Sequence, residues 1–514
     1  MGGAQTVARN VSMRYLAIAA EMVVGVCVLP LNVSHLGASA YGLWMLTASI
    51  TSYFSILDLG YGGALTKFVA QYRARRDPHA LNEILNTMFF LFTSFGCLAY
   101  AIATVLAVYL DRLFHLPPDQ TYAGRVVLLV IMLNVAAGLA FSVFGGVING
   151  FQRYDLNSAV AVATTIVTAL VNVAVLVAGY GLVPLVMATT AVRLSAYWLY
   201  RANAYRVFPQ LRLRPHLFSR GRLRELTSFS VYMLVIDWAR KLNYELDTVV
   251  IAVFMNTAAV ALWSVGQRVV DAIVRLTIQL SDVLFPAVVD HDVSHRSDRL
   301  QAIFLIGTRL SLATVVPVAA ALVLLADPLV RAWVGPAFSG SVPVLQLLAV
   351  TIVFRVGNGT AATLLKGAGR HRFVAAVNVA TGLVNLALSV VLVRTMGLAG
   401  VALGSLVPVG LAAVFIIFPA GSRRVGLPLR EAVYKAVWPA VWPVVVMTAY
   451  LAVTRRLVTS LVGVGAEMGV ALALYGTCFI LFGIAPEERR LYLARAFELT
   501  AGWRQPARTV PESA

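Results

Sequence analysis

Residues 149–177 read NGFQRYDLNSAVAVATTIVTALVNVAVLV, and residues 366–393 read KGAGRHRFVAAVNVATGLVNLALSVVLV. Each opens on a short glycine-containing basic turn and continues as an apolar run of about twenty residues, the length that crosses a bilayer as a helix. The core TALVN (168–172) returns as TGLVN (381–385). Between Gly150 and Asn172, and between Gly367 and Asn385, the second copy is shorter by about one helical turn. An earlier pair stands in the same order, LGASAYGLW (36–44) against MNTAAVALW (255–263). Two ordered matches indicate an internal duplication, the plan on which many transporters are built.

Composition agrees with a chain that lives in lipid. Of 514 residues, 60% are hydrophobic and 12% charged, with a mean hydropathy of +0.81, whereas soluble chains carry about 25% charged residues. The excess of 41 Lys and Arg over 23 Asp and Glu gives a net charge of +18. Most of that excess falls in loops on one side, so topology and attraction to anionic headgroups account for it and no nucleic-acid partner is called for. Cys27, Cys97 and Cys478 lie in apolar runs; they read as small core residues and neither a disulfide framework nor a metal site. His291 and His295 in HDVSH lack the adjacent glutamate of a zinc helix and read as a polar loop. No metal or cofactor is expected.

Apolar windows place about fourteen spans, within a range of twelve to fourteen. They fall near 12–34, 41–62, 86–110, 124–147, 157–178, 182–202, 228–254, 258–284, 303–326, 342–364, 373–393, 398–419, 434–453 and 463–484. The expected fold is an all-α polytopic membrane protein of two pseudo-symmetric six-helix bundles, 1–225 and 226–425, with two further transmembrane helices in 426–485 and a tail over 486–514. Arg9 and Arg14 precede the first span without a small-residue cleavage site, so that span is expected to be retained. With the N-terminus inside, roughly 28 Lys and Arg lie on the cytoplasmic side against roughly 6 outside. Both termini are therefore expected in the cytoplasm, and the protein in the inner (plasma) membrane.

The stretch SILDLGYGGALTKFVAQYRARRD (55–77) turns from an apolar helix into a basic amphipathic one. Gly60, Gly62 and Gly63 suit a sharp exit and close helix approach. Neither the phosphate-loop pattern nor the dinucleotide fingerprint is met, since Leu65 stands where the latter needs glycine. Asp58 reads as a helix-end or interhelical hydrogen-bonding residue. Tyr41, Trp44, Trp263, Trp333, Trp438 and Trp442 mark span ends and read as interface anchors.

Charges inside spans cost a few kcal/mol each and should meet water or one another. The seventh span carries Asp237, Arg240, Lys241, Glu245 and Asp247. In the eighth, Ser264, Arg268, Asp271, Arg275, Gln279 and Asp282 recur at helical spacing as one polar face. Arg193, Arg309, Arg355, and Arg14 with Glu21 extend the set. Either these residues line a polar cavity or they neutralise one another in pairs such as Asp237 with Lys241 and Asp271 with Arg275.

The pattern LG-x3-YGLW, then LDLGYGGAL and a basic segment, resembles the N-terminal signature of the polysaccharide-biosynthesis flippases. These are the lipid-linked oligosaccharide exporters of the multidrug/oligosaccharidyl-lipid/polysaccharide superfamily. NYELDTVVIAVFMNTAAVALWSVGQRV (243–269) and INGFQRYDLNS (148–158) resemble two further segments of that family, with departures at Glu245 and Trp263. The resemblance implies a transporter, not an enzyme, that flips a lipid-linked (diphosphate) oligosaccharide outward by alternating access. It implies as partners the lipid-linked saccharide, the membrane and polysaccharide assembly proteins. On that reading Arg240, Lys241, Arg268, Arg275, Arg309 and Arg355 are candidate phosphate-binding residues, because a guanidinium fork matches phosphate oxygens at any relevant pH. Glu21, Asp237, Glu245, Asp247 and Asp271 are candidates for ion coupling or for the charge network, with H+ and Na+ both open. The alternatives are a drug or cation antiporter of the same superfamily, which favours an acidic or aromatic cavity, and a membrane glycosyltransferase or polymerase, which usually carries a longer external loop than any found here.

Overall fold

The computed structural model describes residues 3–54, 61–114, 116–223, 246–293, 297–455 and 459–484, and regular structure within them is helical throughout. The helices are α1 (Gly3–Tyr53), α2 (Tyr61–Ala74), α3 (Pro78–Val108), α4 (Leu110–Phe114), α5 (Pro118–Gly150), α6 (Tyr154–Val177) and α7 (Leu182–Val207). Next come α8 (Leu246–Phe254), α9 (Thr257–Val293), α10 (Ser297–Trp333), α11 (Ser341–Gly357), α12 (Gly359–Gly367) and α13 (His371–Leu411). The last are α14 (Phe418–Arg424), α15 (Leu429–Ala432), α16 (Trp438–Val441), α17 (Val444–Thr454) and α18 (Leu461–Cys478).

Among the described residues, 11 helical stretches are long and apolar enough to cross a membrane. Two of them each contain two expected spans. In α1 the break is at Gly37 (φ 74°), and in the stretch Arg372–Arg424 it is at Gly397 (φ 58°). A side chain at positive φ is strained, so glycine lets one apolar helix end and the next begin with no intervening loop. The expected seventh span is described only from Leu246 onward. The duplication is visible in the backbone as well. A left-handed residue precedes α6 (Gln152, φ 60°) and α13 (Gly369, φ 76°), and the repeated Asn172 and Asn385 are both buried.

The chain forms two compact units. The first holds Met1–Ala272, Trp333–Leu348 and Ala375–Val409. Here the basic segment α2 lies on the protein through Leu65, Phe68, Val69 and Tyr72, spaced i, i+3, i+4, i+7, while Arg73, Arg75 and Arg76 stay exposed. That stripe packs on Leu81, Ile84, Leu85 and Met88 of α3 and on Val143, Phe144 and Val147 of α5. Gly146 and Gly150 let α5 come close, since a Cβ at either would collide with Leu65 or Val69.

Beside it, the basic segment after α7 is fastened to α3 by two asparagines. Asn82 Nδ2 donates to the Gln210 carbonyl (3.0 Å) and its Oδ1 accepts from the Arg212 amide (2.7 Å). Asn86 does the same one turn on, donating to the Arg212 carbonyl (2.6 Å) and accepting from the Arg214 amide (2.6 Å). Each side chain thus serves as a two-way peptide partner for the irregular backbone of residues 210–214, which leaves the buried asparagine amides satisfied. Arg222 completes the fastening through Glu83 (3.1 Å) and the Tyr72 hydroxyl (2.7 Å).

At the opposite end of this unit, Arg125 Nη2 donates to the Val108 carbonyl and to Asp111 Oδ1, both at 3.1 Å, and so closes the end of α3. The Arg125 hydrogen bond, helped by a backbone hydrogen bond and nearby positive charge, holds the Asp111 carboxyl below the usual carboxylate range. Ser39, Gln120 and Thr257 are joined side chain to side chain at 2.7–3.3 Å. Gly42 rests on the Thr257 backbone with no room for a Cβ.

The second unit holds Ile273–Ala332, Ala349–Val374 and Gly410–Ala514. Phe304 packs on Phe418 with ring centroids 5.4 Å apart, and Gly421 lies against Ala361 and Phe304. Wide π-type turns occupy Ala412–Ile417 and Val433–Val437, each just ahead of a proline (Pro419, Pro439) that has no amide proton for the carbonyl four residues back. Tyr475 of α18 donates to the Ala440 carbonyl (2.6 Å), tying the last apolar helix to the one before it.

Several sequence expectations need correction. Tyr41, Trp263 and Trp333 are 0%, 1% and 8% exposed, so they are core residues and not interface anchors. The Trp263 indole is satisfied by Gln267 Oε1 (3.0 Å) and that of Trp333 by the Val26 carbonyl (2.9 Å). Cys27 and Cys97 are exposed and Cys478 is half-buried, so they are not core residues; all three are free thiols. His291 falls within α9, which runs on to Val293, and not in a loop; His295 lies outside the described residues. So do Asp58 and Gly60.

Candidate functional site

The eighth-span helix α9 begins at Thr257 and carries its charges from Arg268 onward, about three turns in. Ser264 is buried and donates to the Val260 carbonyl of its own helix (2.7 Å), so the polar face begins only after it. Arg268 is exposed, eleven residues from Thr257 and therefore about 16 Å along the helix axis. Its guanidinium lies 6.0 Å from the Tyr41 ring centroid and 3.5 Å from Met45 Sδ, both on the second limb of α1. The cation is thus braced by an aromatic face and a polarisable sulfur while its remaining N–H groups stay accessible. One turn further Asp271 is half-buried, and two turns further Arg275 is exposed; each has an interacting neighbour.

In the second unit, Arg309 of α10 is 9% exposed, among buried Thr308 and Ser311. Arg355, in the last turn of α11, is half-buried. Each has an interacting neighbour. The two helices approach closely at Leu312 and Gly357, where a Cβ on the glycine would meet Leu312 Cδ2 at 2.6 Å. Asp237, Arg240, Lys241 and Glu245 lie outside the described residues, as does the Glu21 side chain.

Asp247 has the most unusual surroundings. It sits in the first turn of α8, 6% exposed. Ser405 Oγ donates to its Oδ2 at 2.8 Å and lies 3.3 Å from Asn385 Oδ1. Ser389 Oγ donates to Asn385 Oδ1 at 3.0 Å and lies 3.4 Å from the Val401 carbonyl. A carboxylate, an amide oxygen, two hydroxyls and a backbone carbonyl therefore converge from α8 and the two limbs of α13. No ion pair to Asp247 occurs among the described residues. An isolated buried carboxylate is costly in a low-dielectric interior, and this oxygen set suits a proton or a hard monovalent cation. Of these residues the sequence singled out Asp247 as a charge and Asn385 as a repeat mark. Ser389 and Ser405 had no signal beyond being hydroxyls in apolar helices.

Long apolar helices in duplicated halves, with arginines and a buried acid inside the spans, define a transporter-type membrane fold. Solved structures with that architecture include the lipid II flippase MurJ, with a TM-score of 0.69 at 11% identity, covering 92% of this chain and 98% of that one. An inward-facing multidrug resistance MATE family transporter of the MOP superfamily aligns with a TM-score of 0.59 at 16% identity, covering 79% of this chain and 94% of its own. The chain belongs to the polysaccharide biosynthesis protein family, whose model matches residues 36–343. Among curated relatives, the succinoglycan biosynthesis transport protein ExoT of Rhizobium meliloti is 23% identical over 71% of this chain and 70% of its own. The probable flippase AglR of Haloferax volcanii is 22% identical over 55% of each.

Proposed function

We propose that the protein carries a lipid-linked, diphosphate-bearing oligosaccharide or repeat unit from the cytoplasmic to the outer leaflet of the plasma membrane. The two six-helix halves, 1–225 and 226–425, alternate access to a polar cavity, and both termini lie in the cytoplasm. The observation that supports this best is Arg268, an exposed cation about 16 Å along a spanning helix, braced but not neutralised by Tyr41 and Met45. An open guanidinium at that depth suits a phosphate oxygen better than an organic cation, which argues against drug antiport. Relatives named for flippase and succinoglycan transport favour the same cargo class. Asp247, with Asn385, Ser389 and Ser405, is the place where a proton or sodium ion would be taken up to drive the cycle. Deleting the gene is expected to leave glycosyl transfer intact while lipid-linked intermediates accumulate on the cytoplasmic leaflet. Normal surface glycan in a strain without a second flippase would refute the assignment.

A further inference from the structure

We infer that Arg193, on the first-half helix α7, is a second contact for the cargo's phosphate groups; this rests on the lipid-diphosphate reading above. The buried residues of α7 include Leu182, Val186, Thr189, Thr190, Ala196 and Ala204. They stand at i−11, i−7, i−4, i−3, i+3 and i+11 from Arg193, so Arg193 occupies the centre of the buried face. Yet Arg193 itself is exposed. The residues that look outward from this helix, Met187, Trp198 and Leu199, lie on another side of it. One turn beyond Arg193, Tyr197 donates to the Asn134 carbonyl (3.2 Å) and to its Oδ1 (3.1 Å), and stacks on Phe141 with centroids 5.5 Å apart. Those contacts fix the face against α5.

An arginine on an inward face that is nonetheless open must look into an internal wet space. Snorkelling does not account for it. Arg193 is eleven residues from Leu182 and fourteen from Val207, about 16 and 21 Å from the two helix ends, well beyond the reach of its side chain. It makes no hydrogen bond or ion pair to any described residue. An intramembrane cation without a protein counter-charge is expensive unless a ligand or water supplies one.

Depth identifies the ligand group. As the sixth and eighth expected spans, α7 and α9 enter from the same side, and Arg268 is also eleven residues from the start of its helix. The two guanidiniums therefore lie at one level, and both belong to the first compact unit. Two forks at one depth suit a diphosphate, whose charge is carried by oxygens on adjacent phosphorus atoms.

Two measurements test this. In a background with Cys27, Cys97 and Cys478 replaced, Arg193→Cys is expected to react with a charged, membrane-impermeant methanethiosulfonate, and Met187→Cys to remain unmodified. No reaction of Arg193→Cys from either side of the membrane would overturn the placement. In nanodiscs, the wild-type protein is expected to retain polyprenyl diphosphate. Arg193→Gln should bind it about ten-fold or more weakly, and Arg193→Lys should fall between, as loss of a charge-assisted hydrogen bond implies. Equal binding by wild type and Arg193→Gln would overturn the role of Arg193 alone. Equal competition by phosphatidylglycerol would overturn it in favour of a general phospholipid site. Failure of the wild type to retain polyprenyl diphosphate would remove the cargo assignment, and this contact with it.

Discussion

Removing the guanidinium of Arg268 is expected to abolish surface glycan export at normal protein abundance. Arg268→Lys should restore it in part, because a point charge replaces a two-toothed fork. The measurement is surface glycan per unit of membrane-inserted protein, and full export by Arg268→Ala would remove the residue from the mechanism. At Asp247 the expected signature differs. Asp247→Asn keeps the hydrogen bond from Ser405 but deletes the charge, so export should lose its dependence on the driving ion before it loses folding. Transport assayed across imposed proton and sodium gradients reads this directly, and an unchanged ion dependence would count against the pocket. At this scale the sequence was only partly legible. Arg268 could be marked because an arginine in an apolar run is conspicuous. Ser264 was expected on the same wet face, but a serine can satisfy itself on its own helix carbonyl, and that choice is invisible in residue type. Trp263 and Tyr41 carried a similar ambiguity, since an aromatic near a span end suits the interface and the core equally well.

Among the elements, α2 was legible and its neighbour was not. The i, i+3, i+4, i+7 stripe of Leu65, Phe68, Val69 and Tyr72 is a periodic signal that declares its own buried face. The asparagine clamp on residues 210–214 depends on partners over 120 positions apart in sequence, for which no local pattern exists. Asn86→Ala removes the partner of two part-buried backbone groups and is expected to cost about 2 kcal/mol locally. The visible result should be faster tryptic cleavage after Arg212 in detergent-solubilised protein, with α3 itself unaffected. Unchanged cleavage would mean that the segment holds by other contacts. At the opposite end the Asp111–Arg125 pair has a defined pH signature. Its carboxyl is held below the usual value of about 4, so its stabilisation is present above that value and fades as pH falls through the depressed folded-state value. Asp111→Asn should therefore melt slightly below wild type at neutral pH, with the gap closing in acid. A gap that persists in strong acid would point to packing and not charge.

For the molecule as a whole, topology follows from charge placement and is open to direct measurement. A reporter fused after Arg214 is expected in the cytoplasm and one inserted at Gly335 outside, since the former lies in the most basic loop; the reverse result would invert every assignment of leaflet and direction. The helical membrane architecture was readable from the sequence because a span needs only length and apolarity, which composition supplies without partners. The joins between helices were harder to read. Apolar windows separated the spans on either side of Gly37 and Gly397, but they did not show that glycine at positive φ joins each pair with no intervening loop.

The segment at 210–214 docks on a helix whose anchoring residues were made more than a hundred positions earlier. During synthesis at 5–20 residues per second, α3 waits roughly ten seconds for its clamp partner to leave the ribosome. The partner arrives just after the sixth span, before the helices of the second half have left the ribosome. All the residues of the clamp are thus made while the rest of the chain is still to come. The fastening of α3 to residues 210–214 needs no residue of the second copy, so its order of formation is set by the first half alone.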